Sequence, residues 1–106
     1  MKTIIDNIEP SIEDIAGVRI VDFTFNNDDT NDVHAGTIAQ DWQNIVPNAV
    51  KPHTYIDTQE EYLTLDYSAV SVVSAVTAAK EIVKLKQENA ELKERLAAIE
   101  ARLAQL

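Results

Sequence analysis

The sequence predicts an α+β protein: a small head of short helices, β-strands and a hairpin, followed by one long C-terminal helix that forms a parallel coiled coil. Two observations on the helix carry this. Neither proline nor glycine occurs between residues 67 and 106. In that stretch Ile82, Leu85, Asn89, Leu92, Leu96, Ile99, Leu103 and Leu106 recur at alternating intervals of three and four, the a and d spacing of a heptad. A third observation concerns residues 1–66, where β-branched and aromatic runs alternate with turn formers, as in a small mixed fold. The expected division is a head over residues 1–66 and an assembly helix over residues 67–106.

The head reads in order. Ser11 with Asp14 three residues on has the form of a capping box and Gly17 that of a stop, so residues 11–16 read as a short helix with Ile12 and Ile15 inward. Residues 18–25 suggest a strand, with a phase change at Val21 that marks a bulge or burial on both faces. Residues 26–32 are polar turn formers that cannot bury themselves, hence an exposed loop. Trp42, Ile45 and Val46 fall at helical spacing before Pro47, so residues 40–46 read as a helix broken by the proline, with Trp42 in the core. Residues 54–57 and 61–65 flank a polar turn and predict a hairpin, although no Asn-Gly pair fixes its turn type. Asp66 stands where a helix N-cap belongs, and the helix after it spans roughly 60 Å at about 1.5 Å per residue.

Composition excludes several classes. Without cysteine there is neither a disulfide framework nor a thiolate metal site, and two isolated histidines do not suggest zinc, so no cofactor and no metal are expected. The longest apolar stretch, residues 70–76, is interrupted by Ser71 and Ser74 and is far shorter than the roughly 20 residues a bilayer requires. Nothing near Met1 resembles a secretory signal, and a soluble protein that touches no membrane is expected. Residues 1–66 hold thirteen Asp and Glu against Lys2, Arg19 and Lys51, whereas the remainder holds five Glu against six Lys and Arg. The acidic head repels a phosphate backbone, which disfavours nucleic acid as a partner.

The helix charges fix an orientation. With Leu85, Leu92, Ile99 and Leu106 at d, the g residues Glu81, Glu88 and Arg95 face the e residues Lys86, Lys93 and Glu100 of a parallel neighbour, each pair opposite in sign. The pattern favours a parallel, in-register homo-oligomer. Each exposed pair contributes only a few tenths of a kcal/mol, so the pairs select register more than they hold the coil together. Asn89 at an a position also fixes register and by itself leans towards a dimer, while Leu96 and Leu103 at a leave the strand number open. A head of this size cannot cover the apolar stripe alone.

Several motifs then carry a resemblance. Residues 1–8 read Met-Lys-Thr-Ile-Ile-Asp-Asn-Ile, residues 36–42 Gly-Thr-Ile-Ala-Gln-Asp-Trp, residues 45–50 Ile-Val-Pro-Asn-Ala-Val, and residues 62–67 Tyr-Leu-Thr-Leu-Asp-Tyr. In order and spacing they resemble the C-terminal intramolecular chaperone and auto-processing domain of phage endosialidases, tailspikes and tail fibres, with Gly36, Ile38, Ala39, Gln40, Pro47 and Tyr67 at its motif positions. A related domain occurs in myelin regulatory factor. The resemblance extends to about Leu85, and beyond it only the coiled-coil habit is shared.

What this resemblance implies is a homotrimer. Three copies align the ends of long fibre chains so that an intertwined β-structured stalk can fold, and are then cut off. The partners implied are the other copies and the upstream fibre or tailspike chain, met in the host cytoplasm during virion assembly, with release from the mature fibre. Non-local β-structure forms slowly and exposes adhesive edges, whereas a coiled coil nucleates fast and raises the effective concentration of the chains. The cut implied is a single-turnover serine-peptidase reaction of the domain on its own chain, by a Ser-Lys dyad. By spacing Lys2 matches the base, and the serine would lie four residues before Met1. The expectation is therefore a sequence that begins just inside the cleavage point, lacks its nucleophile and is inactive.

His34 is a candidate assistant in cleavage but more simply a surface or capping residue. Gly36 suits a close backbone approach, and Gln40 and Asp41 suit loop positioning or helix capping. No Ser-His-Asp triad or phosphate loop is legible. Two other functions compete with the chaperone: a self-cleaving trimerisation domain of a membrane-tethered transcription factor of the myelin regulatory type, and a hydrolase using head carboxylates, for which no deep pocket is suggested. Residues 26–32 and 52–60 are the loops expected to reach the stalk.

Overall fold

A computed structural model of the chain describes residues 1–26 and 29–106; Asn27 and Asp28, within the expected polar loop, lie outside the described residues. The order of elements is helix α1 (Ile12–Ala16), strands β1 (Val21–Phe23) and β2 (His34–Gly36), helix α2 (Ala39–Trp42), a 3₁₀ turn (Pro47–Ala49), strands β3 (Val50–Thr54) and β4 (Glu61–Leu65), and helix α3 (Tyr67–Ala104). The strands form two separate antiparallel pairs, β1 with β2 and β3 with β4. The α+β head on a long helix is as the sequence predicts.

Local chemistry explains each element. Ser11 caps α1: its hydroxyl accepts from the Asp14 N–H at 3.4 Å and donates to Glu13 Oε2 at 2.8 Å. Gly17 ends the helix in right-handed conformation, with φ of −80° and its N–H bonded to the Glu13 and Asp14 carbonyls. Ile12 and Ile15 are half-buried on one side, as their spacing implies. The strand expected over residues 18–25 is only three residues long. Val18 turns into the core instead, and the Arg19 N–H donates to the Asp41 carboxylate rather than to a ladder. Its partner β2 was not legible, because His-Ala-Gly has neither β-branching nor alternation.

The helix expected over residues 40–46 stops at Trp42. Val46, preceding a proline, is held at φ −132° and ψ 77°, outside the helical region. Pro47 is then the first residue of the 3₁₀ turn, where its missing N–H costs nothing. The hairpin is present, but its first strand covers residues 50–54 and not 54–57. That register places Val50 opposite Leu65, both against the core, and Pro52 opposite Leu63 on a strand that is itself an edge. Residues 55–60 form the turn, closed by the Tyr55 N–H to the Glu60 carbonyl at 2.9 Å and by Gln59 at φ 59°.

The core is small: Trp42, Val46, Ala49 and Val70 are buried, with Ile15, Val18, Ile45, Leu65 and Val73 packed around them. Val70 and Val73 come from α3, so the helix supplies one wall. Asp66 pins its start twice, accepting from the Ala69 N–H at 3.1 Å and donating its own N–H to the Ala49 carbonyl at 2.8 Å. α1 and the residues just before it lie along α3 as far as Lys84, and beyond that α3 runs exposed. The radius of gyration is 21.9 Å, against about 13 Å for a compact domain of this length. The accessible surface is 9086 Å², against roughly 5,900 Å² for a compact monomer of this mass.

Candidate functional site

Two features of the resemblance, the Gly36 stretch and Tyr67, meet at the start of α3. The Tyr67 hydroxyl donates to the Thr37 carbonyl oxygen at 2.9 Å. Thr37 also accepts, through Oγ1, from the Trp42 indole N–H at 3.0 Å. A Cβ on Gly36 would lie 2.9 Å from the Tyr67 oxygen and 3.3 Å from Phe23 Cε1. Glycine is required here by proximity, not by unusual backbone angles, in line with the close approach expected from the sequence. Ile38 precedes α2 in extended conformation, Ala39 is buried, and Gln40 is exposed with its carbonyl accepting from the Gln43 N–H. The motif thus closes the head around the first turn of α3.

Asp41 fastens the neighbouring segment. Its carboxylate takes Nε and Nη2 of Arg19 at 2.9 and 2.8 Å and the Arg19 backbone N–H at 3.2 Å. This two-pronged bond holds the Asp41 carboxyl below its ordinary value and raises the Arg19 guanidinium. Asp41 is therefore a loop-positioning residue, one of the roles expected of it. Its partner was missed, because 22 residues separate the two and no local pattern links them. A hydrogen bond from Ser11 likewise lowers Glu13.

Lys2 lies in the exposed segment before α1, which has no regular structure, and forms no hydrogen bond or ion pair among the described residues. His34 is exposed on β2, its ring 5.1 Å from Phe25 and 5.8 Å from Phe23. Among the described residues no group of His, Cys, Asp and Glu could hold a metal ion, and no helix is long and apolar enough to cross a membrane. Between the hairpins runs an open groove of about 640 Å³ with Phe23, Phe25, Tyr55, Tyr62 and Tyr67 on its walls.

Along α3 the heptad residues stand open. Ile82 is 53%, Leu92 59%, Leu96 56% and Leu103 62% exposed, and Leu85 and Ile99 are similarly uncovered. Asn89 lies in the same row. Among the described residues no segment returns to cover that stripe.

The chain is thus a small head closed on the first turn of a long helix whose apolar seam stands open. Residues 1–51 match the model of a family described as the chaperone of endosialidase. The family recognised in the motifs is thus the family whose model matches, over a span that includes Lys2, Gly36 and Pro47 and ends before Tyr67. No curated protein and no solved structure matches the chain.

Proposed function

We propose that this domain is an intramolecular chaperone that trimerises through α3, aligns the upstream chains of a phage tail fibre or tailspike for folding, and is released by autoproteolysis at its N-terminal boundary. The carrying observation is the uncovered heptad stripe on a chain whose first residues match the chaperone of endosialidase. An apolar stripe of this length in water demands partner helices. The opposed g and e charges select parallel copies in register, which is the arrangement that would bring three upstream chains side by side. Lys2 is the proposed base of the cut, with a serine four residues upstream of Met1 as its nucleophile. The exposed segment that carries Lys2 gives an upstream chain free access.

The test is a precursor carrying the natural upstream fibre and this domain. The expected result is a soluble trimeric fibre together with a separated domain. Lys2→Ala should abolish separation and leave trimerisation intact, whereas L85D/L92D should prevent assembly and leave the fibre aggregated. A fibre that folds equally well without this domain would refute the chaperone role.

A further inference from the structure

The upper and lower parts of α3 differ in what covers them. From Lys80 onward the outer face carries Lys84, Glu91 and Glu94, as a solvated face should. Between Tyr67 and Ala79 no residue is charged. The head nevertheless covers only one side of that stretch: Val70 is buried and Val73 packs on the core, while Val72 is 63% and Tyr67 48% exposed. The apolar surface left over stays open to solvent, with Val72 and Val76 on one wall of a groove whose other wall is residues 8–13.

The heptad register accounts for it. Carried one repeat upward it places the small residues Ala75 and Ala78 at a and d, and carried two it places Ser68 and Ser71 there, so that helices can approach closely. The rule that pairs Glu81 with the partner's Lys86 then pairs Ser74 with the partner's Ala79, and Tyr67 with the partner's Val72. Charge at these flanking positions stops where the head begins and gives way to an aromatic facing a valine. Tyr67 is also the residue whose hydroxyl holds Thr37 and whose oxygen fills the space beside Gly36.

We propose that the interface with a second copy continues up α3 to the head, so that the Tyr67 ring lies between its own Gly36–Thr37 backbone and the partner's Val72, and assembly thereby steadies the Gly36 motif. This rests on the parallel coil proposed above. The opposed charges lower on the helix identify the occupant as a copy of this chain, since they fix which residues of such a copy stand opposite.

The chain has no cysteine, so paired cysteines report register directly. E81C/K86C, S74C/A79C and Y67C/V72C should all form interchain disulfides on mild oxidation, and the corresponding single variants should not. Linking at E81C/K86C but at neither upper pair means that the helices splay below the head, which overturns this inference and leaves the coil. Linking at none overturns the parallel coil itself. S74C/A79C keeps the question answerable if Y67C perturbs the head. A second variant, V72E, changes an exposed side chain and should leave the solution mass unchanged, yet shift emission of Trp42, the sole tryptophan, to the red by loosening its bond to Thr37. Unchanged emission would show that assembly does not steady the motif. A defect seen only when the upstream fibre is attached would assign this face to the fibre and overturn the inference.

Discussion

Gly36 and Tyr67 occupy one volume, which makes them inseparable by mutation. Gly36→Ala sets a methyl 2.9 Å from the tyrosine oxygen, closer than real contacts tolerate. The expected cost is about 1–3 kcal/mol of overpacking. Tyr67→Phe removes one hydrogen bond and should cost about 1 kcal/mol. Because the phenylalanine also vacates the space the methyl needs, the double variant should be less destabilised than the sum of the two, read from denaturant midpoints. Additivity would show that the two residues do not compete for that space. Asp41 gives a second prediction. A carboxyl held low by Arg19 in the folded state contributes stability that is fully present above its unfolded value of about 4 and is lost as pH falls through the lower folded value. Asp41→Asn should therefore flatten the loss of stability below about pH 4 and leave the profile nearer neutrality parallel to wild type.

At the scale of elements, α3 invites a test of Asn89, the one polar a or d residue between Ile82 and Leu106. Asn89→Ile should raise the thermal midpoint, because asparagine at an a position exchanges stability for register. It should also reduce disulfide formation between cysteines placed at Glu88 and Lys93, as chains settle out of register. A rise in stability with linking unaffected would mean that the flanking charges alone set the alignment. The same helix was the most legible element of the sequence, since periodicity and the Asp66 cap are both local signals. The α1 cap, Trp42 in the core and strand β4 were legible for the same reason. Strand β2 and the true start of β3 were not. Their pairing is decided by what lies across from them, Phe23 against His34 and Val50 against Leu65. Of the candidate site, glycine at position 36 was readable as a close approach, whereas the Thr37 carbonyl and Arg19 entered only through contacts across 30 and 22 residues.

As a whole molecule, the chain exposes about 3,000 Å² more than a compact monomer would, the scale of surface that obligate assemblies bury. Light scattering should return three times the 11.8 kDa chain mass, and the unfolding midpoint should fall on dilution, because folding and association are linked. A monomeric mass with a midpoint independent of concentration would remove the basis for the chaperone. The order of elements has one more consequence. A ribosome makes the head first and α3 after it, at roughly 5–20 residues per second. On the proposed assembly, the seam that would recruit other copies emerges only once everything before it in the same chain has been translated. Truncated products, which stop short of the seam, would then be left out of assembly, and the helix would double as a check that each recruited chain was synthesised through to its assembly element.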